Sequence, residues 1–326
     1  MEERKSLIRA IERRGCLNDI NPSVFNYASF TNITTEELNF TDPGGIQVTD
    51  YAGKNVVIIG CASGLGRGIA ERMAKGGAKL ALADRHAATL FEFADSLRAQ
   101  EVEVETTVLD VRDPDAIEAF ADKTFESFGE VDYFINSAGM SSMGSIFRLP
   151  LSEWQMVFDM NVMNLVYGIR AFGPRMIEQN DESRIINVAS NAGLEINAFL
   201  PAYFASKAAA VSLSESLAVE LQAIGSKVKT HVFCPGLVKT PLSYNSSELR
   251  GNDEPYFSSE EFAKLTAAGK NALASGMELA EAIDGFFAGL EADDFYIRTH
   301  ANEEDQVIYR TEVVRNRTRP LPIPMR

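Results

Sequence analysis

Asn55-Val56-Val57-Ile58-Ile59-Gly60-Cys61-Ala62-Ser63-Gly64-Leu65-Gly66 decides the fold class. The first five residues carry no charge and four are β-branched, which reads as a strand buried on both faces. Glycines then follow in the spacing G-x-x-x-G-x-G, and Gly64 to Lys75 takes up a helical period. A strand that passes straight into a helix leaves main-chain N–H groups open at the helix N-terminus. Glycine there permits positive φ and adds no Cβ to keep a pyrophosphate at a distance. Gly60, Ser63, Gly64, Leu65 and Gly66 are therefore the candidate phosphate-binding residues of a dinucleotide site.

Working outward, Lys79 to Ala83 reads as a second strand, and Asp84 ends it, where a carboxylate can accept from the ribose hydroxyls of adenosine. A carboxylate at that point repels a 2′-phosphate and so favours NAD, with NADP as the less favoured alternative because Arg85 follows at once and could pair with that phosphate. The alternation continues: a helix over about 87–100, strand 104–109, helix 114–128, strand 131–135, one long helix 151–177, strand 184–189, helix 201–224, strand 227–233, a helix over about 279–290 and a strand 295–298. Seven strands with helical crossovers predict an α/β doubly wound parallel sheet with helices on both faces. Residues 1–50 read as an N-terminal extension or arm with a short amphipathic helix candidate (Leu7, Ile8, Ile11). Residues 51–300 read as the main domain, and 301–326 as a tail with a basic helix candidate and Pro320, Pro322 and Pro324.

Composition narrows the function. The 326 residues carry a formal net charge of −15, which opposes binding to nucleic acid phosphates or anionic lipid heads. Cys16, Cys61 and Cys234 are far apart without a CxxC spacing, and His86, His231 and His300 are isolated, so neither a disulfide framework nor a metal site is expected. No apolar run reaches the ~18 residues that a membrane span needs. Met1 to Arg14 mixes acids with Arg and Lys, unlike a signal or transit peptide, so a cytoplasmic protein is expected.

A second constellation carries chemistry. Tyr203-Phe204-Ala205-Ser206-Lys207 sets a phenol and an ammonium four residues apart on one face of the predicted helix. A cation beside a phenol stabilises the phenolate, so the pair is expected to bring the phenol's pKa down from its usual ~10. Ser190 closes the preceding strand thirteen residues before Tyr203. With the glycine turn, this spacing resembles the classical short-chain dehydrogenase/reductase (SDR) family, over about Lys54 to Pro241.

That resemblance implies a Rossmann-type fold and an NAD(P)-dependent oxidoreductase acting on CH–OH groups. Ser190, Tyr203, Lys207 and Asn161 match the family's catalytic positions. It also implies that Asp110, with Val111, holds the adenine amino group, and that Asn136, Ala138 and Gly139 steady the sheet beside the cofactor. Pro235, Gly236, Val238 and Thr240 would orient the nicotinamide amide. Ser137, Asn164 and Ile59 depart from the residues common at their positions, departures expected to affect packing more than chemistry. In the implied mechanism Ser190 bonds the substrate oxygen, phenolate Tyr203 removes the hydroxyl proton, Lys207 supports Tyr203 and the nicotinamide ribose, and Asn161 completes a proton relay through a water.

The segment 240–277 reads as the cover of the substrate site, with Leu242, Tyr244, Tyr256, Phe257, Phe262 and Leu265. With Met140, Met143, Leu194 and Ile196 nearby, a largely apolar pocket is expected, suited to a hydrophobic ketone or secondary alcohol, cyclic or aromatic. Arg250 and Lys264 could bind a substrate carboxylate, although solvated charges are the simpler reading. Family analogy implies a homo-dimer or homo-tetramer through the long helices, using Met156, Phe158, Val162, Val211 and Leu213. Two alternatives share the fold: an NADP-dependent ketoreductase and a dinucleotide-sensing regulatory protein.

Overall fold

The computed structural model describes residues 50–242, 275–300 and 304–320. The N-terminal helix candidate, most of the covering segment, Arg250 and Lys264 lie outside the described residues. A seven-stranded sheet runs in the order β3-β2-β1-β4-β5-β6-β7, with every neighbouring pair parallel. The strands are β1 Asn55–Ile59, β2 Lys79–Asp84, β3 Val104–Val108, β4 Tyr133–Asn136, β5 Ser183–Val188, β6 Val228–Cys234 and β7 Tyr296–Arg298. The crossovers are α1 Gly64–Lys75, α2 Ala87–Arg98, α3 Pro114–Phe128, α4 Leu151–Phe158, α5 Asn164–Glu178, α6 Pro201–Ala223 and α7 Leu279–Glu291, followed by α8 Glu304–Asn316. The order reverses between β1 and β4, so a crevice opens at their carboxyl ends, the place where such sheets bind ligands.

β1 shows why the apolar run becomes a central strand. Successive side chains point to opposite faces. Val56 and Ile58 pack with Met73 of α1, Phe93 of α2 and Phe286 of α7, whereas Val57 and Ile59 pack with Phe120 of α3, Val157 of α4 and Phe172 of α5. On that second face the Phe172 ring stacks on Phe134 with centroids 4.3 Å apart and meets Phe120 edge-on.

Three expectations need adjusting. The fourth strand begins at Tyr133 and not at Val131, because the Val131 main chain bonds the Gln179 side chain: its N–H donates to Oε1 (3.0 Å) and its carbonyl accepts from Nε2 (2.9 Å). The single helix expected over 151–177 is two, α4 and α5, separated by a π-helical turn at Asp159–Met163. Such turns accompany functional sites, and this one carries Asn161. The Asn161 side chain clamps the Met140 main chain from both sides, accepting from its N–H (2.7 Å) and donating to its carbonyl (2.9 Å). Finally, Val211 is 4% exposed and packs with Ala210, Val232 and Cys234 inside its own chain, so it is not available for a subunit contact; Met156, Phe158, Val162 and Leu213 remain partly exposed.

Two variants test this packing. Phe172→Ala removes the ring at the centre of the aromatic cluster and should cost about 3–5 kcal/mol in urea unfolding; a loss under about 1 kcal/mol would mean that the ring is not packed as described. Asn161→Ala strands both main-chain groups of Met140 in a buried setting. It should cost about 1–3 kcal/mol for each group left unbonded, read as a lowered Tm.

Candidate functional site

The turn between β1 and α1 is closed by main chain pressing on main chain. Gly60 has φ +84°, and a Cβ on it would lie 2.6 Å from the Ala138 Cα. A Cβ on Gly66 would overlap the Gly60 carbonyl oxygen. Asp84 holds the turn from below: its carboxylate accepts from the N–H of Ala62 (2.9 Å) and of His86 (3.0 Å). Two acceptor positions of an ionised carboxylate remain for a ribose. Beside it an open cleft of about 510 Å³ is lined by Arg85, His86, Val108, Leu109 and Asp110. Asp110 pairs with Arg112 Nε at 2.9 Å, and that hydrogen bond keeps its carboxyl below the usual range. The Val111 side chain is buried. A cradle that a Cβ would fill, an N-terminal helix turn and a cleft at the end of β2 and β3 fit a dinucleotide, which Gly60, Ser63, Gly64, Leu65 and Gly66 would hold at the phosphates, Asp84 at the ribose and the cleft at the base.

At the end of β4, the Asn136 amide donates to Asn187 Oδ1 on β5 (3.0 Å), and Asn187 donates to Ser214 of α6 (3.0 Å). This buried chain ties two strands to the helix bearing Tyr203 and Lys207. Asn164 donates to the Ala138 carbonyl (3.1 Å), so the residue that departs from the family pattern braces the loop against the cofactor cradle. At the other end of the site, the Pro235 carbonyl accepts from Asn191 N–H (2.9 Å) and Gly236 N–H donates to Thr299 Oγ1 (3.2 Å). Val238 bridges Met277. Thr240 reaches the phosphate turn, where a Cβ on Gly64 would stand 3.5 Å from the Thr240 Cβ. Gly64 and Thr240, 176 residues apart in sequence, thus border one crevice.

Ser190, Tyr203, Lys207 and Asn161 converge. Ser190 follows β5 and caps a 3-10 turn, Asn191–Gly193, with its Oγ accepting from Ala192 N–H (3.1 Å). Tyr203 and Lys207 come from the first two turns of α6, which starts with Pro201 at a position where a missing N–H costs nothing. Lys207 Nζ donates to the Val188 carbonyl (3.1 Å) and lies 5.9 Å from the centre of the Tyr203 ring. A Cβ on Gly139 would be 3.0 Å from Asn161 Oδ1 and 3.4 Å from Lys207 Nζ, so the two side chains meet at that glycine.

Electrostatics here run against one expectation. Burial pushes the Tyr203 phenol above its ordinary value, with a hydrogen bond to Ser190 pulling the other way. The same burial pulls Lys207 down to about 8. Desolvation therefore sets the direction of the phenol's shift, and the influence opposing it is Ser190 and not the lysine neighbour. Both Asn161 amide hydrogens are spent, on the Met140 carbonyl and on Ser206 Oγ (2.9 Å).

Of the expected pocket residues, Met140 is fully buried, while Met143, Leu194 and Ile196 are partly exposed. Three contributors escaped the sequence reading. Asn191 accepts from Ser190 Oγ (3.1 Å) and donates to Glu195 Oε1 (2.9 Å). From α8, Arg310 donates to the Gly193 carbonyl (2.6 Å), which latches the C-terminal helix onto the turn after Ser190. Asn191 and Glu195 had a signal, a polar residue next to the serine and an acid one helical turn on; Arg310 had none. Among the described residues no group of three or more His, Cys, Asp or Glu side chains is placed to hold a metal, and no helix is long and apolar enough to cross a membrane.

Known proteins carry the same organisation. The chain is 33% identical over 255 residues to a CLA biosynthesis dehydrogenase/reductase of Lactiplantibacillus plantarum, an alignment covering 77% of this chain and 89% of that protein. It is 31% identical over 253 residues to a 1-deoxy-11-beta-hydroxypentalenate dehydrogenase of Streptomyces avermitilis, covering 77% and 86%. A crystal structure of a short-chain dehydrogenase/reductase from Burkholderia phymatum in complex with NAD superposes with a TM-score of 0.78 at 34% identity, covering 83% of this chain and 98% of that one. The family model for short chain dehydrogenases matches residues 54–250, more than half of the chain, and the protein belongs to that family.

Proposed function

We propose that this protein is an NAD-dependent oxidoreductase that interconverts a secondary alcohol and a ketone on a hydrophobic, cyclic or aromatic substrate. The observation that carries this reading is the convergence of buried Ser190 and Lys207 with the partly exposed Tyr203 beside the glycine turn, at the carboxyl end of the sheet. A nicotinamide dinucleotide, when bound, supplies the hydride acceptor for oxidation or the donor for reduction.

Ser190 Oγ takes the substrate oxygen as a hydrogen-bond partner. Tyr203 removes the hydroxyl proton during oxidation and returns it during reduction. Because burial raises its pKa, Tyr203 is protonated at neutral pH and is ready as an acid for ketone reduction. Its service as a base needs the charge of Lys207 close by. Asn161 positions this machinery by clamping Met140 and Ser206. Asp84 supports NAD over NADP, and Arg85, which lines the same cleft, is the residue that would serve an NADP-dependent ketoreductase.

Leu194 and Ile196, partly exposed a few residues after Ser190, support a hydrophobic substrate. One relative's name specifies a hydroxylated carboxylate, 1-deoxy-11-beta-hydroxypentalenate. Residues 51–300 would form the catalytic unit of a cytoplasmic homo-dimer or homo-tetramer, with an arm before it and a tail after it.

Tyr203→Phe is the direct test, assayed on a panel of cyclic and aromatic ketones and secondary alcohols. Loss of the phenolic hydroxyl should cut kcat by about 10²–10⁴-fold while dinucleotide binding is kept. Unchanged turnover would sink the mechanism, and a protein that binds dinucleotide without turning over any of the panel would point to the sensing role.

A further inference from the structure

Ser190 donates to Asn191 Oδ1 at 3.1 Å, and Asn191 Nδ2 donates to Glu195 Oε1 at 2.9 Å. The relay runs from the serine that faces the substrate to an acid on the β5–α6 connection, close enough to feel Arg298 of β7. From this geometry we infer that Asn191 and Glu195 are positioning residues that set the direction of the Ser190 hydroxyl hydrogen bond. The inference rests on the proposed role of Ser190 toward the substrate oxygen.

The chemistry follows from donor and acceptor types. An ionised carboxylate can only accept, so it compels the Asn191 amide to present its N–H₂ to Glu195 and its oxygen to Ser190. That oxygen draws the Ser190 proton away from the substrate, and the Ser190 lone pairs are left to accept from a substrate alcohol. Once Glu195 is protonated it can donate to the Asn191 oxygen. The amide turns over, its N–H₂ faces Ser190, and the Ser190 proton is released to a ketone oxygen. No bond other than hydrogen bonds changes, and the single proton taken up resides on Glu195.

The titration falls in a usable range: burial lifts Glu195 to about 7, against smaller pulls downward from the Asn191 hydrogen bond and from Arg298. The other charged or titratable groups around this turn are Tyr203 and Lys207 on α6, Cys234 on β6, His300 after β7 and Arg310 on α8. Lys207, at about 8, titrates nearby but belongs to every variant compared.

The experiment compares wild type with Glu195→Gln and Asn191→Leu. The first readout is kcat/KM for ketone reduction from pH 5.5 to 8.5, using the panel ketone that the wild type reduces fastest. Wild type should lose about tenfold in kcat/KM, mainly through kcat, as pH rises past about 7. Both variants should lack that limb, with an unchanged Kd for NADH. The second readout is Tm without substrate or dinucleotide. A carboxyl whose pKa is raised on folding stabilises below its unfolded value and loses that contribution as pH climbs through about 7. The Tm of Glu195→Gln minus that of wild type should therefore grow from pH 4.5 to 8, while His231 and His300 cancel in the difference. A limb centred near pH 7 that persists in either variant, a wild type without one there, or a pH-independent Tm difference overturns the inference. Full activity in Tyr203→Phe, or a wild type that reduces no ketone, would instead bring down the reading on which it rests.

Discussion

Everything in this molecule hangs on a place where backbone touches backbone. Gly60 lies against Ala138 and Gly66 against Gly60, with no room for a Cβ at either glycine. That crowding brings the N-terminus of α1 over the carboxyl end of β1 and presses the exit of β4 against the same turn. Asp84 completes the arrangement by accepting from the Ala62 N–H, so the acid proposed to read the ribose also holds the phosphate turn in shape. A substitution at Asp84 consequently acts on turn geometry and on charge together.

From that turn, rigidity spreads through buried polar links. Asn136, Asn187 and Ser214 connect β4 and β5 to α6, Asn164 braces Ala138, and Asn161 clamps Met140. A bonded buried amide contributes roughly 1 kcal/mol, whereas an unbonded one costs about 1–3 kcal/mol. The links therefore matter more for specifying one geometry than for adding stability. Burial opposes charge at Tyr203 and Lys207, and this is why the phenol rises and the lysine falls. Desolvation keeps the tyrosine protonated and makes it a weaker acid than the sequence spacing alone suggests.

Local chemistry was legible and distant chemistry was not. β1 and its glycine turn could be read because an apolar run and a strand-to-helix transition are both encoded within a dozen residues. Asn161 could be placed by motif, but not its π-helical turn, since the apolar period runs through 151–177 almost unbroken and the clamp on Met140 lies 21 residues away. The start of β4 was misjudged because its cause, Gln179, is 48 residues downstream. Val211 looked available for a subunit contact on a helix whose apolar residues are not gathered on one face, and only the packing on β6 shows it buried. Arg310 bonds Gly193 across 117 residues, beyond anything that periodicity or spacing reveals.

The central claim is that the crevice at the end of β1 and β4 binds a nicotinamide dinucleotide and that Asp84 selects which one. Titrating the protein with NADH and, separately, with NADPH while following nicotinamide fluorescence gives the two dissociation constants. The account predicts saturable binding of both, with NADH tighter by about tenfold or more, a difference of about 1.4 kcal/mol. Tighter NADPH binding would transfer the choice to Arg85, and binding of neither would contradict the claim itself.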